Sequence, residues 1–121
     1  TLPVHITMSP DESMIYVSDL KTNKVFSLDM DGNMIALCKG ELDDPCGIII
    51  SPSGYVYVCN REQRIVYKMT SDLSEAMVML GRGDGLMFPS AIFLNETNQH
   101  LYISSRFDDD KYRNFLKVFK C

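Results

Sequence analysis

One pattern occurs three times along this chain, and it constrains the fold more than any other feature. Leu2-Pro3, a short apolar stretch, Ser9-Pro10 and Tyr16-Val17-Ser18-Asp19 make the first copy. Asp44-Pro45, Ile48-Ile49-Ile50, Ser51-Pro52 and Tyr57-Val58-Cys59-Asn60 make the second. Phe88-Pro89, Ile92-Phe93-Leu94 and Tyr102-Ile103-Ser104-Ser105 make the third. The prolines fall at 3, 45 and 89 and the tyrosines at 16, 57 and 102, a period near 43 residues. That period suits an all-β blade repeat.

Each copy reads as short strands separated by turn chemistry. Strands are expected near 4–8, 14–19, 24–29 and 34–38, then 46–51, 54–59, 64–70 and 76–80, then 90–94, 100–105 and 114–120. Ser9-Pro10-Asp11, Asp31-Gly32-Asn33 and Pro52-Ser53-Gly54 supply the turns, because proline sets φ and Gly or Asn tolerates positive φ. Val, Ile, Tyr and Phe make 29 of the 121 residues, a strand-forming palette. The runs Ile48–Ile50 and Val56–Val58 lack clean alternation, as strands covered on both faces do. No window sustains the spacing of a long helix.

A meander of four strands repeated about an axis is a β-propeller blade. The expectation is an all-β chain of three blades, at about 1–42, 43–86 and 87–121, the last lacking its outer strand. Three blades fall below the usual four to eight, so the chain is expected to be half of a six-bladed propeller. Upstream blades or a second copy would close it. Thr1 is neither an initiator methionine nor the start of a leader, which accords with a cut into something longer.

Composition narrows the function classes. Sixteen acids against twelve bases give −4, without the excess of Lys and Arg that marks a nucleic-acid module. No apolar run approaches a membrane span. The four cysteines (Cys38, Cys46, Cys59, Cys121) form no short-spaced framework and read as small strand hydrophobes in a reducing, cytoplasmic setting. His5 and His100 stand alone, so no metal site and no cofactor are expected. Neither a Gly-x-Ser-x-Gly elbow nor a His-Glu-x-x-His motif occurs.

At this point the sequence resembles the NHL-repeat family. The resemblance rests on Pro45-Cys46-Gly47-Ile48, Gly54-Tyr55-Val56-Tyr57-Val58, Asn60 and Arg64-Ile65-Val66, with Met30-Asp31-Gly32-Asn33 similar to the family's turn after its third strand. Val4-His5 and Ser90-Ala91 take the place of Gly-Ile in copies one and three. The ending Asn114–Phe119 is similar to the last strand of tripartite-motif NHL proteins of invertebrates such as molluscs. In those a RING, B-boxes and a coiled coil precede a six-bladed propeller that recruits targets. The resemblance thus implies a protein-binding scaffold at the recognition end of a ubiquitin ligase. Propellers of the gluconolactonase and strictosidine-synthase type also carry motifs like Tyr16–Asp19 and imply a calcium-dependent hydrolase, to which Asp19 and Asn60 would contribute.

Strand order places the loops between second and third strands, and those between blades, on one rim. These segments carry nine bases and nine acids, so the rim is formally neutral and the negative charge lies elsewhere. The RNA-reading members of the family use a positive rim. Here acids interleave with the bases, which favours a protein target. The candidate binding residues are Arg61, Arg64, Arg106, Tyr112, Arg113, Lys21 and Lys24, since Arg and Tyr most often dominate interface energy. Asp29–Asn33 reads as a hairpin turn, Asp108–Asp110 as a solvated tip, and Arg82-Gly83-Asp84 as a Gly-rich connector. Asn95-Glu96-Thr97 is a glycosylation sequon that would matter only in a secreted chain.

Overall fold

The computed structural model describes residues 4–105 and 115–120. Blade one holds β1 (Val4–Met8), β2 (Met14–Asp19), β3 (Lys24–Asp29) and β4 (Met34–Leu37). Blade two holds β5 (Pro45–Ile50), β6 (Val56–Asn60), β7 (Ile65–Met69) and β8 (Ala76–Leu80). Blade three holds β9 (Pro89–Asn95), β10 (His100–Ser105) and β11 (Phe115–Lys120). Every pairing is antiparallel and strand order follows chain order, giving sheets of four, four and, among the described residues, three strands. These are β-propeller blades, as the repeat predicts.

The hairpin turns share one design. In four of them the residue three on from the turn's start donates its N–H back to the first residue's carbonyl and takes positive φ. Glu12 (62°), Gly32 (88°), Gly54 (93°) and Leu73 (60°) fill that position. Asp11 and Asp72 hold two of these turns by accepting from Ser13 and Ser74, through both backbone N–H and hydroxyl. Those bonds favour the ionised carboxylates and bring both pKa values down from 3.8 to about 2. A folded carboxyl that binds its proton more weakly than the unfolded one adds stability above pH ~4 and loses it as pH falls through about 2. Carboxyl-carbon NMR is expected to show Asp11 and Asp72 titrating near pH 2. Midpoints near 4 would mean that these turn bonds are absent in solution.

The blades stack through their faces, with β1, β5 and β9 side by side. In the first seam Tyr16, Val25 and Cys38 of blade one meet Ile48, Val56, Val58 and Met69 of blade two. In the second, Cys46, Cys59 and Val66 of blade two meet Leu101 and Ile103 of blade three. Blade two is therefore covered on both faces, and its continuous apolar runs are explained. Each fully buried aliphatic side chain there contributes about 1.5–3 kcal/mol. Blades one and three each have one covered face.

Polar bonds also cross the seams. The Tyr16 hydroxyl donates to the Ser71 carbonyl at 2.7 Å, and burial pushes its phenol pKa up. The Ser18 hydroxyl donates to the Cys46 carbonyl, and the Cys46 thiol to the Pro89 carbonyl at 3.0 Å. Cys38, Cys46 and Cys59 are buried free thiols. Cys59 donates to Cys46 and is fully enclosed, which holds its pKa up.

One sequence expectation needs correction. Strand register aligns Thr7, Ile49 and Phe93 opposite the three repeat tyrosines. Gly47-Ile48 therefore corresponds to His5-Ile6 and Ala91-Ile92, one residue later than Val4-His5 and Ser90-Ala91. Proline spacing gives the same alignment, since Gly47, His5 and Ala91 each lie two residues after a repeat proline. Arg82-Gly83-Asp84 lies in the connector between blades two and three and forms a 3-10 turn, with the Asp84 carboxylate accepting from the Gly81 N–H at 2.9 Å.

Candidate binding rim

The rim is built from the β2–β3 loop (20–23), the β6–β7 loop (61–64) and the interblade segments 38–44 and 81–88. Asp19 closes the first loop by accepting from the Lys21 N–H and the Thr22 hydroxyl, both at 3.0 Å. Asn60 does the matching work in blade two. Fully buried, it accepts from the Asp43 N–H at 3.0 Å and donates to Gln63.

In blades two and three the residue before the repeat proline links the neighbouring loops. Asp44 and Phe88 are equivalent, and both take positive φ, 66° and 42°. Side chains hold this unfavourable backbone in place. Asn23 Oδ1 accepts from the Asp44 N–H at 3.0 Å, from the blade-one side. Arg61 reaches Asp44 from the blade-two side, its N–H to the carbonyl at 3.1 Å and its Nη1 to Oδ2 at 3.1 Å. At the next seam Arg64, in the register position of Asn23, lays its guanidinium 4.3 Å over the Phe88 ring, with Nη1 3.7 Å from Met87 Sδ. Arg61 is 19% exposed and Asp44 15%, so their attraction is less screened than that of a surface pair.

The sequence-predicted residues thus separate. Arg61 and Arg64 are half-buried against interblade segments. Lys21 and Lys24 are exposed at the blade-one end. Arg106, Tyr112 and Arg113 lie outside the described residues. Asp44, Asn23 and Phe88 organise the rim and escape a reading that looks for Arg, Lys and Tyr in loops. The accessible signal was a residue before a proline at the same point of successive repeats. Glu41, Asp43 and Glu62 are exposed on the same rim, interleaved with the lysines. Asp19 and Asn60, the residues a calcium-hydrolase reading would need, spend their oxygens on loop bonds. Among the described residues no three His, Cys, Asp or Glu side chains converge on one point, and no helix is long and apolar enough to cross a membrane.

No family model matches the sequence, and no curated protein matches it either. The fold does have counterparts among solved structures. A chain from the crystal structure of the nidogen/laminin complex superposes with a TM-score of 0.72 at 14% identity, over 83% of this chain and 38% of that one. Hydrazine synthase from Kuenenia stuttgartiensis superposes at 0.68 and 22% identity, over 96% of this chain and 32% of that one. The chain spans about a third of the length of either. At such identities the likeness speaks for architecture alone, and the architecture is that of β-propeller blades.

Proposed function

We propose that this chain is a protein-binding propeller segment, the target-recognition part of a cytoplasmic tripartite-motif ubiquitin ligase of the NHL type. The observation that carries the protein-binding part is the cross-tied rim. Asn23–Asp44–Arg61 and Arg64–Phe88 join loops of neighbouring blades into one preorganised surface, and preorganisation lowers the entropy cost of capture. Exposed Lys21 and Lys24 beside exposed Glu41, Asp43 and Glu62 suit a protein of mixed charge. Phosphate recognition calls for cations without acid neighbours, and Arg61 lies against Asp44. The nidogen/laminin complex offers a precedent of a chain with this fold in an assembly of proteins. The ligase assignment rests on the NHL resemblance and on buried free thiols, which suit a reducing compartment.

Cross-linking mass spectrometry with the chain as bait tests this. Lys21→Glu with Lys24→Glu is expected to abolish most of the specific protein capture while the melting temperature stays within about 2 °C. Arg61→Ala is expected to lower the melting temperature by about 4 °C, because it removes a half-buried pair worth about 1 kcal/mol. Capture that survives the lysine reversal, or that depends on nuclease-sensitive RNA, overturns the proposal. A full-length transcript without a RING and coiled coil upstream would remove the ligase part.

A further inference from the structure

Cys46 stands where three blades meet. The Ser18 hydroxyl of blade one donates to its carbonyl, and its thiol donates to the Pro89 carbonyl of blade three at 3.0 Å. The residue belongs to the bulge of β5. Register passes from Pro45 opposite Asn60 to Ile48 opposite Val58, so Cys46 and Gly47 together face Cys59 of β6. Cys46 Sγ lies 3.5 Å from the Cys59 carbonyl oxygen, and the Cys59 thiol donates to the Cys46 sulfur. Two thiols are thus in contact across one ladder, inside the second seam.

Among the repeat positions this pairing is particular to blade two. Strand register aligns Cys46 with Val4 and Ser90, and Cys59 with Ser18 and Ser104. A serine therefore serves the fold at either place. A thiol at both places adds reactivity that the packing does not require. Residues facing each other across an antiparallel ladder have Cα atoms about 4.5–5.5 Å apart, within the roughly 4.4–6.8 Å that a disulfide spans. The two sulfurs differ in access, since Cys46 is 7% exposed and Cys59 0%. They also differ in acidity. Donation from Cys59, with the Arg61 guanidinium nearby, holds the Cys46 thiol below its ordinary pKa against burial and the Asp44 carboxylate. The more open and more acidic sulfur, with a second thiol against it, is the arrangement of an oxidisable pair.

We propose that Cys46 and Cys59 are a dithiol which a hydroperoxide converts to a disulfide, loosening blade three from blade two. The Cys46 sulfur attacks one oxygen of hydrogen peroxide, the O–O bond breaks, and Cys46 becomes a sulfenic acid as one water leaves. The Cys59 sulfur then attacks the Cys46 sulfur. The S–O bond breaks as the S–S bond forms, and the Cys59 proton leaves with the hydroxyl as a second water. Two thiols are oxidised and one peroxide is reduced to two waters. The disulfide carries no S–H, so the Pro89 carbonyl loses its bond from Cys46. A buried carbonyl left without its donor weakens the seam it faced. A dithiol reductant reverses the step. The pair lies in a seam and not on the rim, so its oxidation stands or falls whatever the rim binds.

Hydrogen peroxide treatment of the folded chain, followed by unfolding, alkylation and peptide mapping, tests this. The expected product is a Cys46–Cys59 cross-linked peptide within one chain, with Cys38 of the first seam alkylated as a free thiol. Cys59→Ser is expected to trap Cys46 as the sulfenic acid, captured by dimedone. Cys46→Ser is expected to leave Cys59 unlabelled. Alanine at either position serves as the second variant should a serine chain lose its strand signal in circular dichroism. In hydrogen exchange, the β9 amides of the oxidised chain should exchange about fivefold faster than those of the reduced chain, the factor for one lost hydrogen bond. Dithiothreitol should restore the slower rate. A folded chain whose Cys46 and Cys59 both stay alkylatable, or pair with Cys38 or Cys121 instead, overturns the proposal. Dimedone on Cys59 of the Cys46→Ser chain overturns the order of attack. Unchanged β9 exchange after the disulfide has closed overturns the loosened seam.

Discussion

Gly47→Ala is expected to be among the most damaging single-methyl changes in this chain. Gly47 sits where β5 runs against β9, and a Cβ there would lie 2.7 Å from the Ser90 carbonyl oxygen and 2.8 Å from the Ala91 Cα. Both obstacles are backbone, so no side-chain rotation relieves them. The seam between blades two and three must open instead, at a cost of about 3 kcal/mol, or about 12 °C in melting temperature. Gly83→Ala is the control. Nothing lies within 4 Å of its virtual Cβ, and the change is expected to stay within about 0.5 kcal/mol. Equal melts for the two variants would show that β5 and β9 are not in this contact.

Truncation of Ile48 should cost nearly as much, for the opposite reason. Ile48→Ala leaves a void in the first seam between Val58, Met69 and Tyr16, with an expected loss of about 2–5 kcal/mol in urea denaturation. Ile6 is the same residue type at the same register position on the uncovered face. In the 121-residue chain Ile6 is 67% exposed, and Ile6→Ala is expected to change stability by less than about 0.5 kcal/mol. The difference between two identical substitutions isolates burial from intrinsic strand preference. Comparable losses would mean that blade one is covered within the single chain.

The repeat, the strands and the turns were legible in the amino-acid sequence because they are local. Ser9-Pro10-Asp11 and Asp31-Gly32 specify their turns through φ and short-range hydrogen bonds. The tyrosine spacing carries the ladder position from blade to blade. β1, β2, β3, β8 and β10 fall on the residues expected of them, and the remaining strands within two. That Gly47 stands at the position of His5 and Ala91, rather than of Val4 and Ser90, is set by strand register. The rim was only half legible. That Arg61, Arg64 and Lys21 lie in rim loops, with Lys24 at the rim end of β3, followed from strand order. That Arg61 faces Asp44 and Arg64 covers Phe88, while the lysines project outward, depends on how one blade turns over the next. Spacing within a single strand holds no information about that rotation. Which apolar face is buried was likewise decided by the tertiary structure, because Ile6 and Ile48 are the same residue in the same strand position and differ only in having a neighbouring blade.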